Sequence, residues 1–275
     1  MMLGYVCTNF NNSKYTISAI NSLINGKNNQ HIEIVVVDNC SDTDNIELLK
    51  TIEQQHSNVH IIFNTENTGY FSGLNCGIRY LRQPNKKIEY MIVGNNDLIF
   101  SDNFYESIVI NKATLQQHAV VSPNITTLDG VYQNPHVINS ISKFRELIYD
   151  IYYSNYYIAQ IINKLAKITK KYTDRKDEEQ HEIAQEIHQG HGSCYILGPL
   201  FFQNFDELWA PTFLMGEEFF LSVQLMEKGM KVYYEPSIKV MHHCNVSVGK
   251  MPRKHVWRLS RDAHKLYRKY IKIWN

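Results

Sequence analysis

Between Tyr90 and Phe100 the chain reads YMIVGNNDLIF, an apolar run broken by three small polar residues. An aspartate at the end of a buried strand is costly unless it meets a hydrogen-bond donor or a cation. Asp97 therefore has two uses. It could hold a hard divalent ion together with diphosphate oxygens, since Mg²⁺ and Mn²⁺ take carboxylate, phosphate and water ligands. The group Asn95-Asn96-Asp97 also suits a tight turn. A second acidic site is the pair Glu217-Glu218. Acids that open a helix favour its dipole, and two surface glutamates are the plain reading, but the flanking MG and FFLS imply a partly buried turn. His242 and His243 follow the strand-like SIKVM, where a single histidine is usually a hydrogen-bonded structural residue.

These groups need elements to position them, and the first half of the sequence supplies a regular series. LGYVCT precedes SKYTISAINSLI, IEIVVVD precedes NIELLKTIEQQ, VHIIF precedes FSGLNCGIRYL, and YMIVG follows. Strands buried on both faces read as continuous Val/Ile runs, and strand-helix alternation implies a mainly parallel sheet with right-handed crossovers. Such sheets bind ligands beyond the carboxyl ends of their strands. Thr8 and Asn9, Asp38 and Asn39, Asn64, and the Asn95 to Asp97 group are thus expected to face one crevice. From about residue 136 to 190 the chain turns to long stretches rich in Tyr, Ile, Lys and Glu, which we read as a helical insertion. Its charged part, DRKDEEQHEIAQEIHQ, reads as a solvated helix or a mobile loop. Core-like sequence resumes at GSCYILG, with MGEEFFLSVQLMEKG as a helix and KVYYEP as a strand. The expected layout is one domain over 1–250, with the insertion inside it, and a basic amphipathic helix over 251–275.

The 275 residues suffice for a full core. A net charge of +1 gives no global pull toward nucleic acid, and none is expected as a partner. Five scattered cysteines with no CxxC pair indicate neither a disulfide framework nor a zinc knuckle and suit a reducing cytoplasm. The start lacks signal-peptide character, and no apolar run approaches the roughly 20 residues that span a bilayer, so a soluble or peripheral protein is expected. The tail places Leu259, Ala263, Leu266, Tyr270 and Trp274 on one helical stripe, with Arg258, Arg261, Lys265, Arg268, Lys269 and Lys272 over much of the rest. That helix suits either an anionic membrane surface or packing on the domain.

Five pieces in order, YVCTNFNN, VVVDNCSDTDN, NTENTGYFSGLNCGI, VGNNDLIF and FDELWAPTFLMGEEFFLSVQLMEKGMKVYYEPSIKVMHH, carry a resemblance. The sequence resembles the family 2 inverting glycosyltransferases of the GT-A fold, particularly the bacterial branch with many O-antigen and capsule rhamnosyltransferases. The resemblance implies a Rossmann-like mixed, mainly parallel α/β sheet flanked by helices. It also implies a nucleoside-diphosphate sugar donor, dTDP-rhamnose or a UDP-hexose, and a glycan or polyprenyl-diphosphate-linked acceptor. Asn95-Asn96-Asp97 resembles the branch's N-x-D motif, which makes Asp97 the carboxylate for Mn²⁺ or Mg²⁺ and Asn95 a neutral stand-in for a first acid. Asp38 to Asp42 resembles D-N-x-S-x-D: Asp38 would accept from a pyrimidine N3–H or from ribose, and Asp42 would cap the next helix.

Thr8, Asn9, Asn67, Gly69, Asn75 and Asn96 fall at further donor positions. The spacing of Gly69, Gly73 and Gly77 is also that of a helix lying closely on a sheet. Glu217-Glu218 resembles the family's E-D pair, so Glu218 would be the general base with Glu217 in reserve. Val240-Met241-His242, followed by Ser247 and Gly249, resembles a V-x-H motif whose histidine completes the metal site in some members. Trp209 and Gly192 would meet the acceptor, although a tryptophan is also plain core. The expected setting is the cytoplasm, either free in it or peripheral on the inner face of the membrane. Two rivals remain open: a non-catalytic scaffold or glycan-binding subunit of the same fold, and a nucleotidyltransferase, for which only Lys14 offers a basic residue in the first loop.

Overall fold

Runs of β-branched residues become strands where both of their faces are covered. The computed structural model describes residues 1–173, 176–244, 249 and 251–271, with backbone alone at 167–173. β1 (Leu3–Asn9), α1 (Ser13–Ile24), β2 (Ile32–Asp38), α2 (Thr43–Gln55), β3 (Val59–Phe63), α3 (Tyr70–Leu81) and β4 (Tyr90–Asn95) alternate as the sequence implies. The second part holds β5 (Leu98–Phe100), α4 (Phe104–Ile110), α5 (Lys112–Gln117), β6 (Val120–Thr127), α6 (Lys143–Ser154), α7 (Tyr156–Thr173), β7 (Gln185–Ile187), β8 (Cys194–Leu197), α8 (Pro199–Asn204), α9 (Glu217–Met226), β9 (Val232–His242) and α10 (Arg253–Tyr267).

These strands make one mixed sheet in the order β3-β2-β1-β4-β8-β6-β9-β5, with β7 also pairing β9. β1 to β4 are parallel, and β8 runs antiparallel between β4 and β6. Alternate side chains go to opposite faces. Tyr5, Ile34 and Val36 pack with Ile20 and Leu23 of α1. Val6, Val35 and Val37 pack with Leu74 and Ile78 of α3. Gly73 and Gly77 let α3 lie on the sheet: a Cβ there would come within 2.6 Å of Thr8 and 2.3 Å of Val6.

Asn96 and Asp97 sit where the chain leaves β4, mid-sheet, and crosses to β5 on the far edge. The polar interruption in YMIVGNNDLIF is therefore a crossing between two places in one sheet, from β4 to β5.

The charged stretch of the insertion departs from its sequence reading. It forms a 3₁₀ turn at Asp177–Gln180 and then the strand β7. β5 pairs only with Val240 to His242 of β9. On that same edge the backbone groups of Val232 to Tyr234, paired with β6 on their other side, would otherwise lack partners, and β7 supplies them.

The inward face of the C-terminal helix includes Ala263 of the expected stripe and adds Trp257 and Tyr267, which the stripe left out. Trp257 and Ala263 are buried, Tyr267 packs at a tilt against Phe219 with centroids 4.0 Å apart, and Arg268 pairs with Asp150 of α6 at 2.8 Å. Packing on the domain thus occupies much of α10. Lys272 and Trp274 lie outside the described residues, as does Ser247. Among the described residues no helix is long and apolar enough to cross a membrane.

Candidate active site

A polar knot ties the strand ends together beneath a cleft. Asn9, fully buried at the end of β1, donates to Asp38 Oδ1 at 2.7 Å and accepts from Thr16 at 2.7 Å. Asn96 donates to Asn9 Oδ1 at 3.2 Å and to Thr16 Oγ1 at 2.7 Å. Asp38 also accepts from the Ser41 hydroxyl at 2.6 Å and the Ser41 N–H at 2.9 Å. Buried polar groups are costly unless paired, and here each meets a partner. Asp42 caps α2 by accepting from the Asn45 N–H at 3.0 Å.

Above the knot lies a cleft of about 340 Å³. Thr8, Asn67, Gly69, Asn95, Asn96 and Asp97 reach it from the β1, β3 and β4 ends, as do Gly192, Glu217, Glu218 and His242 from the other side. These ten of the sequence-derived candidates share one wall-to-wall space. Four do not reach it. Asn9 and Asp38 are spent in the knot, with Asp38 only 1% exposed. Asn75, on the buried face of α3, holds both backbone groups of Leu208 at 2.8 and 2.9 Å. Trp209 packs edge-on against Phe220 and Tyr270. The first three act as struts for the strand ends and the loop before α9, and the tryptophan is half-buried between α9 and the residues after α10.

At one end of the cleft His242 Nε2 stands 3.2 Å from Asp97 Oδ1 and 3.1 Å from the Asn95 amide. Its Nδ1 faces Gln133 Oε1 at 2.8 Å. Assigned from these partners, the proton sits on Nδ1, which turns the Nε2 lone pair toward a carboxylate. Neighbouring ligands of an octahedral ion with ~2.1 Å bonds lie about 3 Å apart, so the two donor atoms fit such an ion. Protonated at Nε2, the same contact is an ion pair. Among the described residues no set of three His, Cys, Asp or Glu side chains converges, so exogenous oxygens would complete the shell.

At the other end, two left-handed residues, Met215 (φ 80°) and Gly216 (φ 84°), lead into Glu217. A positive φ is unfavourable for methionine. It is held by the Met215 N–H donating to Glu217 Oε1 at 2.9 Å and by Thr212 Oγ1 donating to the Met215 carbonyl at 3.1 Å. Burial, then the neighbouring Glu218 carboxylate, pushes the Glu217 carboxyl up to about 8. Glu218 is half-buried and accepts from the Gly192 N–H at 3.2 Å. A Cβ on Gly192 would lie 2.7 Å from Glu218 Oε1, so a side chain there would push the Glu218 carboxylate out of this position. Tyr70 in turn donates to the Gly192 carbonyl at 2.9 Å.

Residues 6–196 match the family model described as glycosyl transferase family 2. The chain belongs to that family. Its fold is shared with solved transferases at low sequence identity. One is GalNAc-T7 with UDP, GalNAc and Mn²⁺, with a TM-score of 0.58, 14% identity, and coverage of 88% of this chain and 44% of that one. Another is the mannosyltransferase PcManGT from Pyrobaculum calidifontis in complex with GDP-Man and Mn²⁺ (TM-score 0.57, 12% identity, 98% and 64% covered). S. aureus TarS 1-349 in complex with UDP-GlcNAc is a third (0.52, 11%, 86% and 58%). This chain thus spans between 44% and 64% of the length of these three. No curated protein matches.

Several lining residues of this family 2 cleft escaped the sequence reading. Tyr70, Gln133, His191 and Met215 all reach it. His191 accepts at Nδ1 from the Ser193 hydroxyl at 2.9 Å, and burial first, then His136 and His242, push it down to about 3, so it stays neutral. Its position just ahead of SCYILG, a strand beginning beside β4, was the one available signal. Gln133 had none, because it reaches the cleft through a turn after β6.

Proposed function

We propose that the protein is an inverting glycosyltransferase that moves one sugar from a nucleoside diphosphate to a hydroxyl of a bacterial surface-glycan precursor such as O-antigen or capsule. The observation that carries this reading is the Asp97–His242 pair and the Glu217–Glu218 pair on one cleft, beyond the carboxyl ends of the parallel strands. The donor, dTDP-rhamnose or a UDP-hexose, and the glycan class follow from the ordered motifs and their resemblance to the rhamnosyltransferase branch.

In this reading Thr8, Asn67 and Asn96 bind the donor, and Asp97 and His242 would hold Mn²⁺ or Mg²⁺. When bound, that ion supplies positive charge where negative charge develops on the departing diphosphate. Glu218 takes the proton of the acceptor hydroxyl. The acceptor oxygen bonds to the anomeric carbon from the opposite face as the bond from that carbon to the diphosphate oxygen breaks. The bonding pair leaves with the nucleoside diphosphate. Glu217, raised to about 8, keeps its proton at neutral pH. The protonated neighbour leaves Glu218 as the member of the pair free to act as base. Gly192 fixes the direction of the Glu218 carboxylate, and Tyr70 fixes Gly192.

The test is nucleoside diphosphate release by the full chain with Mn²⁺, across a panel of dTDP-, UDP- and GDP-sugars, with and without glycan acceptors. One donor is expected to turn over, and Asp97→Ala to lower its turnover by about 10³-fold. Sugar-nucleotide binding without transfer or hydrolysis would make the protein a scaffold, and binding of none would end the reading.

A further inference from the structure

A surface helix of a folded domain ordinarily turns its apolar side inward and leaves its polar side to water. α7 does not. Where its side chains are described, Ala159 is buried, while Tyr157, Ile158 and Ile161 stand exposed, Tyr157 at 70% and Ile161 at 58%. Tyr157 and Ile161 are one turn apart and Ile158 lies three residues before Ile161, so the three share one side of the helix. α6 packs on α7, with Asn163 donating to the Tyr152 hydroxyl at 3.3 Å, and adds an exposed stripe of its own in Phe144, Leu147 and Ile151. The other side of α6 carries Tyr149 and Tyr153 into a second cavity of about 360 Å³, and Glu218 and Met215 line both that cavity and the cleft. Exposed apolar surface gathered in this way marks a docking face.

Charge decides what the face meets. From Lys143 to Thr173 the sequence holds six lysines and arginines and two acids. Both acids are spent inside the domain: Glu146 is buried and accepts from Tyr267, and Asp150 pairs with His264 and Arg268 at 2.8 Å. The acids of the next turn, Asp177–Gln180, stand at the sheet edge, where the His181 carbonyl accepts from the Tyr234 hydroxyl at 2.6 Å. α7 itself has Lys164, Lys167, Lys170 and Lys171 and neither Asp nor Glu. Lys164 is exposed. The start of α10 brings further positive charge to the start of α7. Lys254 sits 5.7 Å over the Tyr156 ring, Trp257 Nε1 donates to the Tyr152 carbonyl at 3.3 Å, and Arg253 and Arg258 are exposed.

A second copy of the chain would set these cations against their own kind. A nucleic acid would leave the apolar side chains unmet. An anionic bilayer satisfies both, because its headgroups attract the lysines while the apolar side chains enter the acyl boundary. An exposed tyrosine, apolar in body and polar at its tip, suits the same boundary.

We propose that α7 lies along an anionic lipid surface, with Tyr157, Ile158 and Ile161 inserted and its lysines at the headgroups. The inserted segment, rather than the C-terminal helix, is then the membrane-docking element, and α10 adds charge beside it. This inference stands apart from the transfer reading. It sets α6, and with it the second cavity, close to the bilayer.

Vesicle sedimentation of the full chain tests it, with vesicles of equal parts phosphatidylglycerol and phosphatidylcholine against vesicles of phosphatidylcholine alone. Binding is expected to the anionic vesicles and to weaken as salt is raised. Ile161→Glu is expected to lower the partition coefficient by about tenfold, and Lys164→Gln by about fivefold, with nucleotide affinity unchanged in both. Should Ile161→Glu fail to fold, Tyr157→Ser carries the same expectation. The proposal is overturned if the anionic vesicles leave the protein in solution, or if they bind Ile161→Glu as well as the wild-type chain. It is also overturned if light scattering shows a dimer that Ile161→Glu dissociates while vesicles bind neither form, which would give the face to a second copy. Vesicle binding by a chain that takes no nucleotide would remove the transfer reading and leave this one standing.

Discussion

The two walls around Glu218 are built in different ways. The strand-end wall of the cleft rests on parallel β-strands whose tips are tied by the Asn9–Asp38–Thr16–Asn96 knot, with little freedom left to any side chain. The wall behind Glu218 consists of helices α6, α9 and α10, held by ring contacts and by the Asp150–His264–Arg268 cluster at a partly exposed surface. The difference separates a floor braced by buried polar pairs between strand tips from a wall, only α6 of which belongs to the inserted segment, held by side-chain contacts near the surface.

Four substitutions would break or sharpen this contrast. Glu218→Gln, at the junction of the walls, is expected to lower transfer by about 10²–10⁴-fold with donor affinity retained, as measured by turnover and by nucleotide titration. A variant that keeps near-normal turnover would remove Glu218 as the base. Asn9→Ala cuts the knot and leaves Asp38 and Thr16 short of partners, so chemical denaturation should report a loss of about 3 kcal/mol, felt throughout the sheet. A loss under about 1 kcal/mol would mean that the knot is not what stiffens the floor.

Glu217→Gln probes stability against pH. The carboxyl goes from an ordinary value of 4.5 up to about 8 in the folded chain, so the native state binds the extra proton between those limits. Stability from this group is full below the lower value and is lost as pH rises through the upper one. The wild-type chain should lose up to about 1.4 kcal/mol per pH unit across that window, and Glu217→Gln should flatten the slope. Equal slopes in thermal melts of the two proteins would refute the burial of that proton. The smallest effect is expected for Arg268→Ala in the helical wall. Its pair with Asp150 is partly exposed, so about 0.5–1 kcal/mol should be lost, with nucleotide affinity unaltered in calorimetric titration. A loss as large as that of Asn9→Ala would show the two walls to be equally rigid.

Much of the frame was legible without coordinates, because it depends on local pattern. The Val/Ile runs IEIVVVD and YMIVG announced buried strands, the apolar spacing of SKYTISAINSLI announced α1, and Asp42 announced the cap of α2. The shared crevice followed from topology, and Asp97, Glu218 and His242 do meet there. Other features depend on distant partners and left no local trace. DRKDEEQHEIAQEIHQ has the charge of a solvated helix, yet part of it becomes β7 because β9 has an open edge. The α10 stripe was placed only in part: Ala263 is buried as expected, but Trp257 and Tyr267 join it through contacts with other helices rather than through the helix's own periodicity.

What the sequence determined by itself was the order and type of the N-terminal elements and the acids at their ends, for these follow from side-chain periodicity and the cost of burying charge. The tertiary structure decided which polar residues face the cleft and which are used up as struts. It also decided that Glu217 is the buried member of its pair and Glu218 the one shared by two cavities. Those outcomes depend on which segments, far apart along the chain, exclude water from each carboxyl group.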